Sequence, residues 1–158
     1  MTSNLAAFLD MLSHSEGTDR VPDPYRVTFG FHHTIADLSD HPSITGEWAG
    51  EPLDFLGPAY AGLISTAAGK YQITKHTWEA LQGALSLPDF ERQSQDRAAT
   101  LLISQKKALD LINSGQIVDA IGLLHPVWAS LPGSTANQPI TSMSALLKAY
   151  SDSGGAYA

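Results

Sequence analysis

The sequence predicts an α+β fold, mostly helical, with one small antiparallel β-sheet or hairpin. Apolar residues recur at helical spacing in several separate stretches, one short segment alternates as a strand does, and a region rich in glycine and proline divides the helical stretches. A chain of 158 residues can bury one sizeable core but is too short for two ordinary domains, so a single domain over residues 1–158 is expected.

The elements follow in order. Leu5, Phe8, Leu9 and Leu12 stand at i, i+3, i+4 and i+7 and give a first helix with one apolar stripe, ended by Gly17. Residues 26–38 are the strand candidate. Val27, Phe29 and Phe31 alternate there, and Gly30 offers a bulge or the turn of a short hairpin. Residues 43–64 read as a long loop with at most a helical turn, and loops of that length are usually functional. Thr74 caps a helix carrying Trp78, Leu81 and Leu85. Ser94 opens a longer helix through Leu101, Leu102, Leu109 and Ile112, ending at Asn113-Ser114-Gly115. A short helix over 116–124 stops before Pro126, residues 128–139 form a loop, and a last helix carries Met143, Leu146, Leu147 and Tyr150. Two of the three tryptophans are expected in the core, with Trp48, among Gly46, Glu47 and Gly50, the exposed one.

Composition removes several classes of function. Hydrophobic residues make up 43% of the chain and charged residues 16%, a globular composition. The net charge of −7 provides no basic footprint for phosphate, so nucleic acid is not an expected partner. No run of about 18 apolar residues occurs, so no membrane insertion is expected. The first ten residues lack the basic start of a secretory signal. With no cysteine, the fold has no disulfide and no thiolate metal site.

Several residues invite chemistry. Glu16 stands at the expected end of the first helix, where the helix dipole is negative and a carboxyl keeps its proton more tightly. A raised pKa suits a general acid near neutral pH. On local sequence alone, a solvated glutamate beside a helix cap is the commoner reading. In Ala68-Gly69-Lys70-Tyr71-Gln72, glycine permits close backbone approach, and Tyr71 and Gln72 carry groups that read sugars. Taken alone, that block is more often a helix start with a core tyrosine. Asp40-His41 is either an acid/base pair or a turn that caps itself. The six histidines lack the spacing of a metal motif, and His32 and His33 are adjacent. No metal and no cofactor are expected. A Ser-His-Asp site lacks its nucleophile elbow.

Together these blocks resemble the lambda-type phage endolysins, lytic transglycosylases of the lysozyme superfamily. The resemblance runs through Ala7-Phe8-Leu9-Asp10-Met11-Leu12, Ser15-Glu16-Gly17-Thr18-Asp19, Tyr25, Val27 and Ser39-Asp40-His41-Pro42. It continues through Ser65-Thr66, Ala68-Gly69, Tyr71-Gln72, Ser94-Gln95-Asp96 and Trp128-Ala129-Ser130-Leu131-Pro132-Gly133. It implies a lysozyme-like fold whose small sheet lies beside a cleft. It implies Glu16 as the catalytic residue and Ser65, Tyr71, Gln72 and Gln138 as substrate-binding residues. Two features depart from the family: residues 43–64 are longer than its upper-lip loop, and Ala136 stands where a tyrosine is expected.

The implied reaction cuts peptidoglycan between N-acetylmuramic acid and N-acetylglucosamine without consuming water. Glu16 protonates the glycosidic oxygen and then takes the proton of the sugar's own C6 hydroxyl, which leaves a 1,6-anhydro end. The resemblance also implies synthesis in the host cytoplasm, release through a holin pore and action on the wall in the periplasm, with a monomer as the default state. Alternatives stay open. A hydrolytic muramidase needs a second carboxylate, roughly 5–5.5 Å away for retention or about 6.5–9.5 Å for inversion. Asp37, Asp40, Glu47, Glu51 and Asp54 are the candidates. A non-catalytic glycan-binding module and a metal-dependent amidase are the other classes.

Overall fold

Helix α1, Asn4–Glu16, begins where Ser3 accepts a hydrogen bond from the Ala6 N–H at 3.0 Å. It stops where Gly17 takes a left-handed conformation, φ 78°, and returns its N–H to the Ser13 and His14 carbonyls. Phe8, Met11 and Leu12 are fully buried along its inner stripe, and burying each such side chain contributes about 1.5–3 kcal/mol. The computed structural model describes residues 3–135 and 139–158, which form two compact units.

One unit comprises residues 1–20 and 99–158. After α1 it holds the end of a long helix, α4 (Arg92–Gln105), then α5 (Leu109–Asn113), α6 (Ile117–Leu124) and α7 (Met143–Asp152). Helix α1 packs on α7 and α5, and α5 packs on α6. Ile103, Ile121, Trp128, Leu131 and Tyr150 complete the core. The expected single helix from Ser94 through Ile112 is in fact two. Lys107 adopts φ 60° between them, so the chain turns before α5. Helix α4 also begins earlier, at Arg92, because the Asp89 carboxylate accepts from the Glu91 N–H at 3.0 Å and the Ser94 hydroxyl at 2.7 Å.

The second unit, residues 21–98, holds α2 (Pro42–Thr45), strands β1 (Glu51–Pro52) and β2 (Ile64–Ser65), α3 (Lys75–Leu85) and the first turns of α4. The small sheet exists, but in a different place from the sequence expectation. Strands β1 and β2 pair antiparallel, Glu51 with Ser65 and Pro52 with Ile64, and short 3-10 turns over Asp54–Leu56 and Pro58–Tyr60 lie between them. The stretch read as loop thus carries the sheet.

The expected hairpin over residues 26–38 reduces to one bridge, Val27 to Thr34. The physical reason is competition. Thr28 bridges to Ala68 and the Phe29 N–H donates to the Ala67 carbonyl at 2.9 Å, so this edge leaves its own return strand after one residue pair. Beyond Thr34, the Glu47 carboxylate takes the Ala36 and Asp37 N–H groups at 2.9 and 2.8 Å, which a strand partner would otherwise have bonded. Trp48 departs from expectation too. It is half-buried, and its N–H donates to the Pro42 carbonyl at 3.2 Å.

Trp78, Phe90 and His41 form the aromatic centre of this unit, with the Trp78 and Phe90 rings edge to face at 4.7 Å. Asp40 anchors it. One carboxylate oxygen accepts from the Trp78 indole N–H and the Gln82 amide, both at 3.1 Å, and from the His41 N–H at 2.8 Å. Replacing Asp40 by alanine strands a buried indole donor, so Asp40→Ala should lower unfolding free energy by about 2–3 kcal/mol, read as an earlier urea midpoint.

Candidate active site

Glu16 is the last residue of α1, and the turn at Gly17 lets the chain fold back over it. Hydroxyl groups line this corner. Ser13 and Thr18 bond at 2.7 Å, with Thr18 fully buried, and Ser15 bonds Ser130 at 2.6 Å. The Ser130 hydroxyl also favours the charged form of the Glu16 carboxyl. Glu16 keeps some exposed surface, yet the protein around its carboxyl removes most of the water. Burial pushes its pKa up to about 7, and the Ser130 hydroxyl opposes that rise. The negative end of α1 works in the same direction as burial. At neutral pH this group therefore exists in both forms, able to give a proton and to take one.

In the second unit, residues 69–72 make a tight turn. Gly69 has φ 80°, and a Cβ there would come within 2.2 Å of the Gln95 side-chain oxygen, so only glycine fits. Gln95 accepts from the Lys70 N–H at 3.0 Å and donates to the Tyr25 and Phe90 carbonyls at 2.9 and 2.8 Å. Gln72 is left-handed at φ 52°, and its side-chain amide donates to the Gly69 carbonyl at 2.9 Å. Tyr71 is 1% exposed, and its hydroxyl donates to Asp96, as does that of Tyr25. Burial, with the Asp96 carboxylate beside it, holds the Tyr71 phenol far above its usual pKa, so it stays a donor. The Lys70 ammonium lies 5.1 and 5.6 Å from the Tyr25 and Tyr71 ring centres. Ser65 ends β2, half-buried, and its hydroxyl accepts from the Ala67 N–H at 3.3 Å.

Residues 6–157 match the endolysin family model. The chain is 38% identical over 156 residues to the endolysin of Escherichia phage P2, covering 96% of this chain and 93% of that one. It is 37% identical over 154 residues to the endolysin of Escherichia phage lambda, covering 94% and 90%. The solved structure of bacteriophage lambda lysozyme complexed with a chitohexasaccharide is similar with TM-score 0.86 and 34% identity, covering 100% of this chain and 98% of that one. A second lambda lysozyme structure gives TM-score 0.82 at 33% identity, with the same coverage. The chain belongs to the endolysin family. It is a lysozyme-like, peptidoglycan-degrading endolysin.

Within this endolysin the sequence candidates fall into three groups. Glu16 stands where its block placed it, at the helix end. Gln72 and Ser65 are half-buried with polar groups near the surface, whereas Tyr71 is enclosed and meets its surroundings through Asp96. Gln138 lies outside the described residues, as does Ala136.

The candidate second carboxylates are mostly committed. Asp40 holds Trp78 and Gln82. Burial disfavours the charge on Glu47, but the Ala36 and Asp37 N–H groups and the His33 ring outweigh it and hold its pKa low. Glu51 bonds His32 at 2.9 Å, and Asp37 accepts from the Ser39 N–H at 2.9 Å. Asp54 opens a 3-10 turn. The open choice at Asp40-His41 resolves to a structural cap. His41 is fully buried, donates from Nε2 to the Ile73 carbonyl at 2.9 Å and accepts the Ser43 N–H at 3.2 Å, and burial lowers its pKa. Among the described residues no three histidine or acidic side chains gather about one point, and no helix is long and apolar enough to cross a membrane.

Sequence reasoning quoted Ser130, Gln95 and Asp96 within blocks but assigned them no role, although their place beside Glu16 and Tyr71 in the same set of blocks was the available signal.

The pKa of Glu16 also fixes a stability trend. It is raised above its unfolded value of 4.5, so the folded state binds the proton more tightly. The contribution is fully present below pH 4.5 and is lost as pH rises through about 7. Glu16→Gln should therefore be more stable than the parent above pH 7, by about 3 kcal/mol, and equal to it below pH 4.5, read from melting curves across pH.

Proposed function

We propose that this endolysin is a lytic transglycosylase that cleaves the β-1,4 bond between N-acetylmuramic acid and N-acetylglucosamine, with Glu16 as acid and then base. The observation that carries the reading is the Glu16 carboxyl at the end of α1, buried enough that its pKa is pushed up to about 7. Protonated Glu16 gives its hydrogen to the glycosidic oxygen as the C1–O bond breaks. The C6 hydroxyl oxygen of the same muramic acid closes on C1, and its proton passes to the Glu16 carboxylate. The cycle restores Glu16 and forms a 1,6-anhydro ring with no net water.

One observation supports one carboxylate over two. A hydrolase needs a second carboxylate free to steer water or attack C1. Asp40 and Glu47 each accept hydrogen bonds that fix their own unit's backbone and core, and Glu51 is paired with His32. The chitohexasaccharide in the similar lambda lysozyme structure supports a glycan as the bound polymer. In this reading Gln72, Ser65 and Gln138 contact the glycan, and Tyr71 holds the turn that presents Gln72. The protein acts as a monomer on the wall from the periplasm, after release from the host cytoplasm through a holin pore.

Digestion of purified peptidoglycan should yield fragments ending in 1,6-anhydro-N-acetylmuramic acid, inert to borohydride and identified by mass. Fragments heavier by one water and reducible would overturn the transglycosylase. Glu16→Gln should fold normally and lose activity by on the order of 10²–10⁴-fold. Near-parental lysis by that variant would sink the assignment. Because the protonated carboxyl starts the reaction, the rate should fall as pH rises through about 7; turbidity clearance across a pH series measures it.

A further inference from the structure

Residues 43–64, the stretch longer than the family's upper-lip loop, help to enclose a cavity of about 450 Å³. Gly30, His32, Glu51, Pro52, Asp54 and Phe55 line it. Small-ligand sites hold roughly 300–1,000 Å³ and combine an apolar lining with a few placed polar groups. The backbone of this one is fixed from within. Leu53 donates its N–H to the Leu63 carbonyl at 2.9 Å, and Gly57 donates to the Asp54 carbonyl at 3.1 Å. Both bonds hold the turn that presents Asp54 and Phe55.

The lining has two kinds of chemistry. Pro52 and Phe55 are apolar. The Phe55 ring lies against Phe29, with centroids 6.4 Å apart, yet Phe55 stays 66% exposed. An aromatic face of this kind takes aliphatic chains and cations. Glu51 and Asp54 supply carboxylates. Glu51 is held in place by His32 at 2.9 Å, and a Cβ at Gly30 would come within 3.0 Å of the Glu51 side chain, so glycine leaves it room. The Asp54 side chain is exposed and, among the described residues, bonded to nothing.

An apolar face beside two carboxylates fits a primary ammonium on an aliphatic chain. The ammonium brings donors and a compensating charge. A sugar hydroxyl brings a donor without the charge, and an anion is repelled. Peptidoglycan offers the fitting group. Its muramic acids bear short peptides whose diamino residue ends in a free amine wherever the peptide is not cross-linked.

We propose that the cavity between residues 30–32 and 51–55 is a subsite for the amine-bearing peptide stem of peptidoglycan, with the aliphatic chain on Phe55 and Pro52 and the ammonium on Asp54 and Glu51. The proposal rests on the wall polymer being the substrate and not on the role of Glu16.

The test measures KM and kcat on soluble glycan strands in three forms: with their stems, with the stem amines acetylated, and with the stems removed by an amidase. Acetylation should raise the parent's KM roughly two- to fivefold, the range of one exposed ion pair, and leave kcat alone. Asp54→Asn should show that raised KM on untreated strands and respond no further to acetylation. Phe55→Ala should raise KM only on strands that keep their stems. On stem-free strands the parent and both variants should coincide. A parent indifferent to acetylation overturns the subsite. So does an Asp54→Asn that loses as much on stem-free strands, since Asp54 would then serve the glycan itself or act as the second carboxylate of a hydrolase. A second readout needs no cleavage. Free stem peptide added to isotope-labelled protein should shift the amide NMR signals of Glu51, Asp54 and Phe55, and its acetylated form should not. Equal shifts with both peptides, or none with either, overturn the subsite, and this titration on the parent decides should Asp54→Asn fail to fold. Reducible digestion products with the KM pattern intact overturn the transglycosylase alone.

Discussion

The structure at the end of α1 depends on keeping one carboxyl away from water. Desolvation raises the Glu16 pKa, and the surroundings must tolerate both charge states. A buried carboxylate facing only apolar groups would stay protonated through the physiological range and could not act as a base. One paired with lysine or arginine would stay ionised and could not act as an acid. Ser130 is a weaker partner than either, and it leaves the group poised near neutrality. The left-handed Gly17 and the Ser13–Thr18 bond at 2.7 Å give the chain a sharp, rigid exit, so the side chain is held by its own backbone.

The second unit solves a different problem, with little regular structure. Its strands are two residues each, too short to organise backbone hydrogen bonds by themselves. Partly or fully buried polar side chains take over that task. Glu47 collects two backbone N–H groups, Gln95 spans three backbone groups, and Asp96 receives two tyrosine hydroxyls. Such a frame stays ordered through loops, at the cost that each link has few substitutes. The turn at residues 69–72 shows this dependence. Its glycine fits against Gln95, and its tyrosine is moored to Asp96, so Gln72 is presented by side chains from α4 and not by a strand.

These two solutions explain what could be read from the sequence. Periodicity identified α1 and α7, because each buries one stripe against its neighbours, and the Thr74 cap located α3. Glu16 was legible through its block and through its place before a glycine. The strand pattern at Val27, Phe29 and Phe31 misled for a physical reason. Alternation reports which residues point inward, whereas pairing depends on which backbone arrives, and here Ala67 and Ala68 arrive at that edge. The break at Lys107 was invisible because lysine rarely takes φ 60° and no glycine or proline marks the turn. The contact of Ser130 with Ser15 was hidden because the two lie 115 residues apart, and no local pattern records a contact of that range.

The proposed reaction gives one carboxyl two successive duties, and that sets a narrow demand. If its pKa were far above the working pH, the C6 hydroxyl would have no base; if far below, the leaving oxygen would receive no proton. Burial alone overshoots in one direction, and strong hydrogen bonding overshoots in the other. The structure places the two in opposition on one residue, with burial the larger and a single serine the smaller.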